Sequence, residues 1–174
     1  MAYQADPIFE LLEAHDRLVG PGRGAPPVQN GRRLGSAILQ AGVTTMSAVL
    51  QTAVQEGFER CVTRAFPHFS ANDRHSYVKS VGIWGNPNPH NVKKLFFRIG
   101  VTNVFTGLSW QGRSTASIEQ ALDHINQVRN CVAHGNQIRV DGNAFPLRKQ
   151  AVRSWYWFTD QFVDRFSDHA VSKV

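Results

Sequence analysis

In the segment Gln127-Val128-Arg129-Asn130-Cys131-Val132-Ala133-His134-Gly135 an arginine precedes a histidine by five positions, with an asparagine directly after the arginine. Histidine has the side-chain pKa nearest neutrality, so it can take and return a proton during a reaction. Arginine stays charged and holds a phosphate through two parallel hydrogen bonds. Together they suit phosphodiester cleavage without a metal, with His134 moving the proton and Arg129 stabilising charge on the phosphorus oxygens. Asn130 would orient the phosphate or the imidazole. The spacing alone carries no specificity: with 14 Arg and 7 His in the chain, roughly one or two chance matches are expected. A competing assignment makes His134 a helix C-terminal histidine favoured by the dipole, Arg129 an ion-pair partner of Asp123 or a buried glutamate, and Asn130 a surface polar residue.

Placement adds information. Ser117-Ile118-Glu119-Gln120 matches a capping box, and Ile118, Leu122, Ile125, Val128 and Val132 follow at helical spacing until Gly135. On that helix Arg129 falls at the margin of the apolar stripe, where an unpaired cation costs several kcal/mol and so needs a partner or a role. Asp123, Asn126, Gln127, Asn130 and His134 form a polar stripe beside it.

The remaining elements are helical too. Asp6 and Pro7 open a first helix reaching about Val19, followed by a loop, Gly20-Pro21-Gly22-Arg23-Gly24-Ala25-Pro26-Pro27. Leu39, Val43, Met46, Leu50, Val54, Phe58, Cys61 and Ala65 mark a long second helix from about Arg33 to Phe66, ended by Pro67. Residues 67 to 88 read as irregular. A helix starts at Asn88 and Pro89, with Val92, Leu95, Phe96 and Ile99 on its apolar face and Gly100 as its stop. Asp141-Gly142 turns a small hairpin near residues 137–145, and a last helix runs from about Leu147 to His169, burying Val152, Trp155, Phe158, Phe162 and Phe166.

The motif residues Arg129-Asn130 and Ala133-His134-Gly135 at a helix end resemble the RNxxxH form of the HEPN superfamily's Arg-x4-6-His motif. The long second helix with Glu56 and Glu59, and the stretch Asn86-Pro87-Asn88-Pro89-His90-Asn91-Val92-Lys93-Lys94-Leu95-Phe96, are similar to its RiboL-PSP-HEPN branch. The resemblance spans about residues 30 to 168. It implies an all-α HEPN-like bundle, here of about five helices, that dimerises so that two motif copies share one cleft. It also implies a metal-independent endoribonuclease with no cofactor, acting as a toxin or in anti-phage defence, with RNA as substrate and an antitoxin or defence-system protein as partner. Arg129, Asn130 and His134 are the expected catalytic residues, with Glu56, Asp123 and Asn126 as accessories. Relatives often have Trp before the helix-two glutamate, where this chain has Gln55.

Composition is compatible with this outline. The chain has 174 residues, 42% of them hydrophobic, enough for one domain with a real core, in which residues 1–29 form an N-terminal helix and loop. The formal charge of +6 comes mostly from arginine, which favours an anionic partner, nucleic acid before membrane. Leu34 to Gln55 holds 22 residues without charge, but its Gln, Gly, Ser and Thr favour a buried helix over a membrane span. Cys61 and Cys131, both within predicted helices, and the lack of a signal-like N-terminus fit a cytoplasmic protein. His68, His75 and His90 have no zinc-type spacing. Two further functions compete: an inactive helical RNA-binding or interaction subunit, and a helix-turn-helix DNA reader at residues 89 to 107.

Overall fold

The computed structural model describes residues 6–20, 26–29, 32–82 and 84–174. Six helices lie among them: α1 (Asp6–Val19), α2 (Ser36–Ala65), α3 (Ala71–Val81), α4 (Pro89–Phe97), α5 (Thr115–Ala133) and α6 (Lys149–Val171). Two short antiparallel hairpins complete the described elements, β1 (Val28–Gln29) with β2 (Arg32–Arg33), and β3 (Arg139–Val140) with β4 (Asn143–Ala144). The fold is all-α, as expected. Part of the Gly/Pro-rich loop, residues 21–25, lies outside the described residues.

The chain divides into two compact units, each assembled from separated stretches: residues 1–49 with 124–160, and residues 50–123 with 161–174. In the first unit Ile8 and Leu12 of α1, Val43 and Met46 of α2, Ile125 and Val128 of α5, and Val152 and Phe158 of α6 are buried. Asp16 on α1 meets Lys149 Nζ at 2.6 Å, a hydrogen bond that holds the aspartate below the usual carboxylate range.

The second unit is centred on phenylalanines. Phe58 meets Phe96 edge-on at 5.6 Å, Phe96 meets Phe166 edge-on at 5.6 Å, and Phe162 stacks on Phe166 at 4.6 Å. A Cβ at Gly57 would stand 3.4 Å from the Phe166 ring, so the glycine lets the chain approach that cluster closely. Cys61 is buried here, and burial pushes its thiol up to about 11. Half-buried Lys93 and Glu119 pair at 2.6 Å between α4 and α5.

α2 is the one described helix long and apolar enough to cross a membrane by length and composition. Its Val43, Met46, Leu50, Val54 and Phe58 are nonetheless fully buried within the protein.

The structure corrects three expectations. Residues 67 to 88 are not all irregular, because α3 forms behind a reciprocal cap. Ser70 Oγ accepts from the Asp73 N–H at 3.2 Å, and Asp73 Oδ2 accepts from the Ser70 N–H at 3.2 Å. α3 raises the helix count from about five to six among the described residues. The start of α5 lies three residues earlier than Ser117 would place it: Ser114 Oγ accepts from the Ser117 N–H, and Ser117 Oγ donates back to the Ser114 carbonyl instead of capping the helix. Val132 is half-buried rather than part of the buried stripe. The start of α4, by contrast, matches: Asn88 Oδ1 accepts from the Asn91 N–H at 2.8 Å ahead of Pro89.

Ser70→Ala removes one side of the α3 cap and should cost about 1 kcal/mol. For a chain of this size that lowers Tm by roughly 2–4 °C. An unchanged melting curve would show that α3 does not depend on its cap.

Candidate active site

The second half of α5 carries the motif, and its C-terminus sets the exposure of the histidine. The Gly135 N–H donates to the Val132 carbonyl at 3.2 Å, and the Asn136 N–H donates to the Cys131 carbonyl at 2.9 Å. With Gly135 at φ +64°, this pair of bonds is a Schellman motif in which His134 is the last residue of the helical path. A side chain other than glycine's would be strained at that φ, so Gly135 turns the chain away and leaves the imidazole of His134 exposed.

One turn earlier, Arg129 Nη1 donates to Asn130 Oδ1 at 3.2 Å, and both residues are half-buried. The His134 N–H donates to the Asn130 carbonyl at 3.1 Å, so Asn130 and His134 stand one turn apart, with Arg129 directly before Asn130. Asn130 therefore stands against the guanidinium, and this contact positions Arg129.

The other members of the polar stripe have separate environments. Asn126 is only 7% exposed, and its Oδ1 has no hydrogen-bond partner, which places it inward from the surface that carries His134. Gln127 is bound to the hairpin. Asp123 and Glu56 are half-buried and belong to the second compact unit, whereas Asn126, Arg129, Asn130 and His134 belong to the first. At Gln55, where relatives often have Trp, the amide oxygen accepts from Trp84 Nε1 at 2.9 Å and the amide nitrogen donates to Glu59 at 3.0 Å. An indole from a later segment thus lies beside the residue just before Glu56.

The predicted hairpin forms at β3–β4 around Asp141 (φ +50°) and Gly142 (φ +79°), the pair of positive φ values of a type I′ turn. Its tip is fastened to α5. The Asp141 N–H donates to Gln127 Oε1 at 2.8 Å, Gln127 Nε2 donates to Asp141 Oδ1 at 3.2 Å, and His124 Nε2 lies 3.1 Å from Asp141 Oδ2. The Gln127 bond, followed by His124, holds the Asp141 carboxyl below the usual carboxylate range. Since the folded value is the depressed one, this contribution is present above the ordinary carboxylate pKa and is lost as pH falls through the lowered value. Spacing along α5 did not reveal this clamp; the Asp141-Gly142 turn pair was the available signal.

A family model for RiboL-PSP-HEPN matches residues 76–172, more than half of the chain and all of α5 and α6. The chain belongs to the RiboL-PSP-HEPN family. No curated protein and no solved structure matches it. The RiboL-PSP-HEPN match includes Arg129, Asn130 and His134 and leaves α1, all of α2 and the start of α3 outside. Among the described residues of this HEPN chain, no three His, Cys, Asp or Glu side chains form a group able to hold a metal ion.

Proposed function

We propose that this HEPN domain is a metal-independent endoribonuclease. The observation that carries the reading is the placement of an exposed His134 one helical turn from the hydrogen-bonded pair Arg129 and Asn130. His134 removes the proton from a ribose 2′-hydroxyl, and the 2′-oxygen attacks the adjacent phosphorus. The bond from phosphorus to the 5′-oxygen breaks, that oxygen takes up a proton, and the upstream fragment ends in a 2′,3′-cyclic phosphate. Arg129 holds the charge on the non-bridging oxygens through its planar fork, and Asn130 keeps that fork oriented.

In-line transfer needs a base on one side and an acid on the other. The motif offers one histidine, and the other histidine of α5, His124, is engaged with Asp141. A homodimer with a two-fold axis beside His134 supplies the second. Family membership alone extends the reading to a cytoplasmic toxin or defence effector restrained by a partner protein.

Cleavage is expected to continue in excess EDTA and to stop at a site carrying a single 2′-deoxyribose, because the nucleophile is the 2′-oxygen rather than a metal-bound water. Mass spectrometry of the upstream product checks the cyclic phosphate. Cutting at the 2′-deoxy position would overturn the mechanism, and RNA binding without any cleavage would make the domain an inactive binding subunit.

A further inference from the structure

The hairpin after Gly135 retraces α5. Asp141 is fixed to Gln127 and His124, and at about 1.5 Å per residue Gln127 lies roughly 10 Å behind His134 along the helix axis. Two extended residues span about 7 Å, so along the returning chain Arg139 lies between Gly135 and the fastened Asp141. Val140 is buried, whereas Arg139 on the strand and Asp141 in the turn are both exposed.

An arginine and an aspartate two positions apart on a hairpin can pair with each other. Here the two oxygens of Asp141 are taken by Gln127 and His124. The Arg139 guanidinium instead donates to two neutral oxygens of its own hairpin, the Gly142 carbonyl at 2.9 Å and Gln137 Oε1 at 3.3 Å. Those bonds fix the direction of the fork without neutralising it. The result is an exposed, oriented cation on a hairpin clamped to the helix that carries the exposed histidine.

Building on the ribonuclease reading, we propose that Arg139 binds an RNA phosphate flanking the scissile one, and that the Gln127 and His124 clamp on Asp141 holds the hairpin in register for it. Arg139 is thus a substrate-binding residue, and Gln127 is a positioning residue. The contact is to backbone phosphate, so it adds affinity and alignment without base preference.

The test uses the full-length protein with His134→Ala in the background, so that bound RNA stays whole, and a fluorescein-labelled single-stranded RNA of mixed sequence read by anisotropy across a salt series. Adding Arg139→Ala should weaken binding roughly tenfold and lower the magnitude of the slope of log affinity against log salt by about one. Arg139→Lys, which keeps the charge, should restore the slope. Gln127→Ala should weaken binding in the same direction with the slope retained. If the His134→Ala protein binds RNA and Arg139→Ala leaves both affinity and slope unchanged, the Arg139 assignment is overturned while the RNA reading stands. Equal losses in Arg139→Ala and Arg139→Lys would also overturn it, in favour of a structural role in the hairpin. If the His134→Ala protein binds no RNA at all, the ribonuclease reading falls and takes this inference with it.

Discussion

His134→Ala is expected to abolish RNA cleavage, with the rate falling by at least roughly 10²–10⁴, the usual contribution of a positioned acid or base. Thermal stability should be almost unchanged. The imidazole is exposed, and the bonds that close α5 run through the backbone of Cys131, Val132, Gly135 and Asn136, none of which depends on the histidine side chain. Cleavage at the wild-type rate, or a large drop in Tm, would return His134 to a structural role. Arg129→Lys should fail as well, because lysine keeps the charge but can neither present two parallel donors to a phosphate nor keep its fork against Asn130. A lysine variant cleaving at the wild-type rate would rule out bidentate clamping.

Dimers that pair one wild-type chain with one carrying both Arg129→Ala and His134→Ala should retain far less than half of the wild-type activity. The reason is chemical: a proton must leave the attacking oxygen and another must reach the departing one. One motif supplies one exposed imidazole. In the proposed dimer a two-fold axis would bring the same helix end from a second copy to the same phosphate, so that damage to either copy would disable the shared centre. Chains acting independently would instead keep about half the activity in the mixed dimer, and that result would remove the composite centre. Differential affinity tags allow the mixed species to be purified and assayed directly.

Much of the fold was legible because its helices bury periodic apolar faces. Val92, Leu95 and Phe96 on α4, or Val152, Phe158, Phe162 and Phe166 on α6, announce their elements by spacing alone. α3 was not legible that way: Val81 is the buried residue of its Ala71–Val81 span, and its start was written only in the Ser70 and Asp73 cap. The onset of α5 was misplaced because Ser114 and Ser117 both carry cap chemistry three residues apart, and the structure uses Ser114, whose Oγ accepts from the Ser117 N–H. On α6, Trp155 and Phe158 are buried as their spacing predicts, while Trp157 between them is 48% exposed.

The candidate site was legible in its residue types and in the helix that carries them. What spacing could not supply was the surroundings of the polar stripe. Helical periodicity says that Asn126, Gln127, Asn130 and His134 are neighbours on one element, but the rest of the chain decides what meets each of them. Burial encloses Asn126, the returning hairpin captures Gln127, and a glycine-turned helix end exposes His134.

The interleaving of the two compact units has a consequence for how the protein comes off the ribosome. Residues 1–49 are completed by 124–160, and residues 50–123 by 161–174. During synthesis the first stretch waits for partners more than seventy residues downstream, and the second for the final segment of the chain. Pairing across such distances must wait for loop closure, so the opening stretch of each unit lacks its tertiary partners until the later residues emerge. The helix carrying Arg129 and His134 spans the boundary between the units, with Asp123 in one and His124 in the other. The motif helix therefore draws part of its tertiary support from residues that emerge after it, and translation that stops before residue 161 leaves the second unit without the stretch that completes it.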